Sequence, residues 1–413
     1  MRSLVPLRLL AAAAVLPLAL SACGASAHAT KTAATAPARF ELPRPTGPHQ
    51  AIGTTELHLV DAGRADPWVP GRIRELMVSV WYPAARSSGP KAPYLRPGVA
   101  KALSEADALG VFKAGTVDWA SARTHAAEGA PADARRARPV VLYSPGLGVP
   151  RALGTTVAEE LASRGYVVVT LDHTYETAPI EFPAGRVEPQ RLPSSDTQAR
   201  KTALDTRVKD SRFVLDRLGA LRAGRNPDAE GRALPAGLGR SLDLSRVGMA
   251  GHSAGGIQAA EAMRTDRRVD AGIDMDGTLQ YAKNDYVRVA ETGLDRAFML
   301  MGAATGGSPQ THLTTPSWGS FWTHSTGWKR DLNVPTASHY SYTDVQSVLP
   351  ALDAELDIPA EDRAALIGTV DPGRMTASVR AYVTAFFDRA LLGRHRPILD
   401  RPSPRHPDVR FIR

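Results

Sequence analysis

Apolar residues fall into two kinds of run along this chain. Thr54–Asp61 (TTELHLVD) and Glu75–Pro83 (ELMVSVWYP) alternate apolar and polar positions, the period of a half-buried strand, and predict antiparallel edge strands. Later runs are continuously apolar: PVVLYS from Pro139, YVVVTLD from Tyr166, RVGMAG from Arg246, AGIDM from Ala271 and AFMLMG from Ala297. Strands buried on both faces of a parallel sheet read this way. A last strand is expected around Arg330–Val334. Helical patterns lie between, over Thr155–Arg164, Ser195–Leu221 and Gly255–Met263. Strand and helix in alternation predict an α/β fold with a mostly parallel central sheet of about eight strands and helices on both faces. In such sheets ligands gather at the carboxyl ends of strands, so the loops that follow these runs are where chemistry is sought.

Outside these elements the pattern changes three times. Residues 1–22 carry Arg2 and Arg8, an apolar stretch from Leu9 to Leu20, then small residues, the form of an export signal too short for a comfortable membrane span. The signal ends in LSAC, which resembles the lipobox of bacterial lipoproteins. That resemblance implies lipidation of Cys23, a membrane anchor on the outer face of the cell, or secretion if the lipobox is not used. Residues 23–39 are rich in Ala and Thr without periodicity and predict a flexible tether. The catalytic body is then expected over 40–395, with a Pro/Ala/Gly-rich insertion at about 87–138 holding a helix near Lys101–Leu109. An Arg/Pro-rich tail, 396–413, is expected to be solvated. The segment Tyr175–Pro193, with Phe182 and Leu192, is expected to line or cover a pocket.

Composition removes some functions. The 413 residues carry a formal charge of +8, but the arginines are scattered singly and no basic patch with interleaved aromatics occurs, so nucleic acid is not expected as a partner. Cys23 is the only cysteine, which excludes a disulfide within the chain and thiol chemistry elsewhere. No obligate protein partner is expected.

The stretch VGMAGHSAGGIQAAEAM, Val247–Met263, holds the sharpest chemical signal. Gly251-His252-Ser253-Ala254-Gly255 fits G-x-S-x-G at a strand-to-helix junction, the nucleophile elbow. A turn that tight strains the serine backbone and lifts its hydroxyl clear of the sheet. Side chains two places away would strike the strand and helix, hence glycine at both. A serine needs a base. Among the five histidines that follow, His395 and His406 sit in the tail and His312 and His324 in a Thr/Ser/Trp loop. His339, in NVPTASHYSYTD, follows the last strand on a loop of small residues and is the expected base. The imidazole needs an acid to fix its tautomer. The strand ending GIDMDG offers two, Asp276 just beyond its end and Asp274 within it; Asp276 is preferred and Asp274 stays a competitor. The amides of Ala254 and of the YSPGLG loop, Leu147 first and Gly146 next, are the expected oxyanion donors.

VVLYSPGLGVPRALGTTVAEELASRGYVVVTLDHTYE, GMAGHSAGG, GIDMDG, ASHYSYTD and VSVWYPA together resemble the serine-dependent platelet-activating factor acetylhydrolase family and its secreted bacterial relatives, over about Ile52–Val345. The resemblance implies an α/β-hydrolase fold and hydrolysis of esters with short or oxidised acyl chains, without metal or other cofactor. It places the nucleophile on Ser253, the acid on Asp276, the base on His339 and the oxyanion amides on Leu147 and Ala254. Two positions depart from the pattern: Pro145 stands where a histidine is common, and Ala254 where a bulky aromatic is common. Both border the acyl pocket, so the family's substrate does not transfer with its mechanism.

Two other readings compete. GIDMDGTL matches the first motif of haloacid-dehalogenase-type phosphatases, in which Asp274 would accept phosphoryl, Asp276 act as acid/base and Mg²⁺ neutralise charge. It leaves the elbow, the GLG loop and His339 unexplained. A hydrolase fold retained as an inactive surface lipoprotein is the second alternative.

Overall fold

The computed structural model describes residues 36–177, 179–194, 196–305 and 307–413. Eleven strands form one sheet: β1 (Ile52–Ala65), β2 (Ile73–Pro83), β3 (Lys91–Pro93), β4 (Arg123–Glu128), β5 (Arg138–Ser144), β6 (Val167–Asp172), β7 (Leu242–His252), β8 (Ala271–Met275), β9 (Ala297–Gly302), β10 (Lys329–Asn333) and β11 (Arg410–Ile412). Among the described residues nine α-helices accompany them: α1 (Pro97–Ser104), α2 (Thr155–Ser163), α3 (Thr197–Arg222), α4 (Ala254–Thr265), α5 (Arg288–Thr292), α6 (Pro316–His324), α7 (Val345–Leu356), α8 (Ala360–Ile367) and α9 (Pro372–Leu392). The strand order is β11-β10-β9-β8-β7-β5-β6-β2-β1-β4-β3. From β10 to β6 every neighbouring pair is parallel. β2 runs antiparallel to both β6 and β1.

The continuous apolar runs have the physical cause expected of them. Alternate residues of one strand feed two different cores. Val140, Leu142, Val167, Val169, Met249 and Phe298 pack beneath α3, α4 and α6. Their neighbours Val141, Tyr143, Val168, Ala250 and Met299 pack beneath α2 and α9. Each such fully buried aliphatic or aromatic side chain stabilises the fold by about 1.5–3 kcal/mol. α3 begins where Asp196 accepts from Ala199 N, and α9 where Asp371 accepts from Arg374 N. α9 stops at Gly393, whose φ of 65° suits a left-handed cap.

The eight strands foreseen are all present, and three more widen the sheet. β3 and β4 come from the insertion and β11 from the tail, and β3 and β11 are only 3 residues long, too short for a period to show. β1 and β2 are antiparallel as expected but interior, because β4 and β3 lie outside them. The insertion helix starts at Pro97 rather than Lys101, with proline in its first turn where no amide is missed. The insertion also builds a third core, in which Phe40, Tyr94, Phe112 and Trp119 meet Leu349 and Leu352 of α7.

Both ends of the body are more ordered than the sequence suggests. Ala38 is buried and bridges Val117, so the body begins inside the segment read as a tether. The expected tail is packed: Leu399 is fully buried and β11 pairs with β10. His406 bonds Ser378 Oγ at 3.0 Å, while His395 stays exposed beside Asp400. Cys23 and the rest of residues 1–35 lie outside the described residues. No described helix is long and apolar enough to cross a membrane.

Candidate active site

Ser253 stands between β7 and α4 with φ 55° and ψ −120°, a conformation that costs an L-residue energy and is held by its surroundings. Its amide donates to Met275 O at 2.8 Å, tying the turn to β8. The glycines on either side are sterically required. A Cβ on Gly251 would lie 2.2 Å from the Gly255 carbonyl carbon, and one on Gly255 would lie 2.0 Å from Ser144 O. The strand, the helix and the end of β5 therefore meet with no room for a methyl group.

Asp276 lies just past β8, where φ is 64°. That reversal separates it from Asp274. Asp276 Oδ2 meets His339 Nδ1 at 2.6 Å, and its Oδ1 accepts from Ala303 N at 2.8 Å. Asp274 is fully buried under α4, where Cβ atoms on Gly256 or Gly277 would overlap its carboxylate. Its Oδ1 accepts from Gly277 N at 2.8 Å and its Oδ2 has no hydrogen-bond partner among the described residues. Burial first, and then Asp276 nearby, pushes the Asp274 carboxyl well above the usual range, which favours its neutral form. A phosphoryl acceptor needs access to solvent, and Asp274 has none. Among the described residues no cluster of His, Cys, Asp or Glu is arranged to hold a metal ion.

His339 opens a short 3₁₀ turn whose N-cap, Ser338, and third residue, Ser341, cap one another reciprocally. The ring is 41% exposed on a buried carboxylate. With Nδ1–H donating to Asp276, Nε2 is left as the free lone pair. Ser253 and His339 are not hydrogen-bonded to one another; His252 links their surroundings. Its Nε2 donates to the His339 carbonyl at 2.9 Å, and the two rings lie 4.5 Å apart. Burial first, and then His339, depresses the His252 pKa well below the ordinary value, so this ring stays neutral beside the base. His312 makes a separate pair with Asp331 at 2.7 Å and stacks on Trp322.

Leu147 and Ala254 share a cavity of about 250 Å³ with Ser253, walled by Leu204, Ile257, Tyr281 and Val287. Neither the Leu147 nor the Ala254 amide donates a hydrogen bond to any described residue. A Cβ on Gly146 would lie 3.3 Å from Ser253 Cβ, which fixes how closely the loop approaches the elbow. The pocket wall is thus α3 and the 278–287 segment, not the Tyr175–Pro193 segment. Phe182 packs instead with Met77 and Ile180. That segment approaches the site from behind, through Glu176 at 2.7 Å from Arg207 and through Gln190, whose amide is 3.4 Å from where a Cβ on Gly148 would sit.

Sequence reading missed two parts of this site. His252 was passed over as the variable letter of the elbow motif, although its position next to the serine was the available signal. Arg207, fully buried on α3, donates to Pro145 O at 2.7 Å and Gly146 O at 3.2 Å. A long polar helix gives no hint that one arginine faces inward.

A strained serine on an elbow near an imidazole backed by a buried carboxylate is the arrangement of the α/β-hydrolase fold, and its relatives make the chain a carboxylic ester hydrolase of that type. The sequence profile described as platelet-activating factor acetylhydrolase, isoform II, matches residues 41–290, and the chain belongs to that family. A "probable 1-alkyl-2-acetylglycerophosphocholine esterase" of Arthroderma benhamiae is 28% identical over 405 residues, 93% of this chain and 97% of its own. The platelet-activating factor acetylhydrolase of Cavia porcellus is 24% identical over 57% of this chain and 55% of its own. Among solved structures, a ferulic acid esterase from Streptomyces cinnamoneus is 41% identical with a TM-score of 0.74, covering 90% of this chain and 99% of its own.

Proposed function

We propose that this esterase works through an acyl-enzyme on Ser253, with His339 as the proton carrier and Asp276 as its support. His339 Nε2 takes the hydroxyl proton as Ser253 attacks the ester carbonyl. The Leu147 and Ala254 amides receive the tetrahedral oxyanion, each worth about 3 kcal/mol of barrier by analogy with other oxyanion donors. Collapse expels the alcohol, which takes its proton from His339. Water then gives a proton to His339, attacks the acyl carbon and releases the acid, returning the proton to Ser253.

The observation that carries this reading is the 2.6 Å contact between Asp276 and His339 at the rim where the elbow presents Ser253. An active-site-directed fluorophosphonate tests it. Stoichiometric labelling at Ser253, lost in Ser253→Ala, is expected; labelling elsewhere, or none, overturns it and favours an inactive hydrolase fold.

For the acyl half, the cavity's volume and largely apolar wall exceed what an acetyl group needs. The similarity to a protein named for ferulic acid esters points the same way. We therefore expect methyl ferulate to be turned over with higher kcat/KM than a short-chain acetyl ester. A chain starting at residue 36 is suited to that measurement. Export and anchoring through a lipidated Cys23 complete the proposal, supported by the Leu20–Cys23 tetrad. Cys23→Ala should shift the protein from the membrane fraction, and unchanged partitioning would remove the anchor.

A further inference from the structure

Beneath the Leu147 loop lies a group of polar side chains that the reaction above does not use. Arg74, Ser144, His173, Glu176, Arg207, Asp210 and Gln258 are all at 0% exposure. Arg207 Nε donates to Glu176 at 2.7 Å, and Nη1 approaches Ser144 Oγ at 3.4 Å. Ser144 Oγ in turn meets Gln258 Oε1 at 2.5 Å and His173 Nε2 at 3.0 Å. His173 Nδ1 meets Asp210 at 2.8 Å, and Asp210 is paired with Arg74 at 2.6 Å. Well-packed apolar residues would serve stability as well as this many buried charges do. What they could not do is hold two backbone carbonyls.

We propose that Arg207 is a positioning residue for the oxyanion site: by gripping the Pro145 and Gly146 carbonyls from the core side, it turns the Leu147 amide toward the carbonyl oxygen that becomes the oxyanion. The inference rests on the reading of Ser253 as nucleophile. Its physical basis is one peptide plane. The Gly146 carbonyl and the Leu147 N–H belong to the same trans peptide unit, in which they point in opposite directions. Arg207 Nη2 and Val149 N, each at 3.2 Å, fix the Gly146 carbonyl, and the N–H of the same unit has no acceptor among the described residues. A cationic donor on the carbonyl also polarises the amide and strengthens it as a donor. Glu176 fixes the guanidinium plane and balances its charge. The network comes from β2, from the ends of β5 and β6, from α3 and from α4, so it is tied to five separate elements.

Arg207→Lys keeps the charge beside Glu176, but one ammonium cannot reproduce the fork that spans both carbonyls. We expect kcat to fall about 10²-fold, with KM changed by less than about threefold, the scale of losing one oxyanion donor. Affinity for a boronic acid that forms a tetrahedral adduct should fall by a similar factor. Affinity for an ether analogue without a carbonyl should not move, and a merely structural arginine would not change that ratio. Glu176→Gln, which leaves the carbonyl contacts in place, should show the same pattern at about three- to tenfold. An unchanged boronate-to-ether ratio in folded Arg207→Lys overturns the proposal; should that variant not fold, the same result in Glu176→Gln does. Fluorophosphonate labelling of the unaltered chain separates the two ideas. No labelling removes the nucleophile reading, whereas labelling with an unchanged ratio removes only the role of Arg207.

Discussion

On one side of the elbow His339 stands half-exposed on a short turn, backed by a single buried carboxylate. On the other, the Leu147 loop rests on a fully buried set of charged and polar side chains. The difference follows the work proposed for each side. An imidazole that passes a proton to and fro must approach a hydroxyl, a leaving group and a water in turn, which a hinged, partly solvated ring permits. Donors that receive developing negative charge gain most when they need no reorganisation. The base side is therefore held at one point and the donor side at many.

The comparison breaks most decisively at Ser253 itself. Ser253→Ala should lower kcat by about 10⁴- to 10⁶-fold while the melting temperature stays within a few degrees, since the hydroxyl makes no hydrogen bond that holds the fold. A comparable loss of folded protein would show instead that the serine is structural.

Next comes the pair of aspartates. Asp276→Asn should cost about 10⁴-fold in kcat, because an amide cannot enforce the Nδ1–H tautomer or support the imidazolium. Asp274→Asn should cost less than about tenfold. The reverse order would overturn the assignment of the acid.

The smallest effect sharpens that contrast through pH. The Asp274 carboxyl is raised well above its ordinary value by burial, so the folded protein holds a proton that the unfolded chain has lost. Stability from this group is full below the unfolded value near 3.9 and declines as pH rises toward the folded value. Asn cannot titrate. The wild type should thus lose stability relative to Asp274→Asn by up to about 1.4 kcal/mol per pH unit above pH 4, measured by denaturant titration. A difference independent of pH would mean that the carboxyl is ionised when folded.

Much of this layout was legible in the chain. Ser253 and Asp276 each follow a strand with a continuous apolar run, and His339 follows the last strand, KRDLN, whose own pattern is weak; parallel topology then brings all three to one rim. Asp276 could be preferred to Asp274 because it falls one residue beyond the run. Arg207 could not be read, because its partners Pro145, Gly146 and Glu176 come from other loops and nothing local marks an inward-facing arginine. The sheet's outer strands were hidden for a different reason. β3 and β11 are set by pairing with a neighbour rather than by any pattern of their own.

β11 has one practical consequence. Residues 410–412 cover the free edge of β10, whose far end leads into the turn that carries His339. Clipping the last few residues, or distorting them with a fused tag, would bare a row of unpaired backbone groups. Such a rail invites a strand from another molecule. In the chain starting at residue 36, purification handles therefore belong at the amino end, and preparations nicked at the carboxyl end should self-associate before they lose their chemistry.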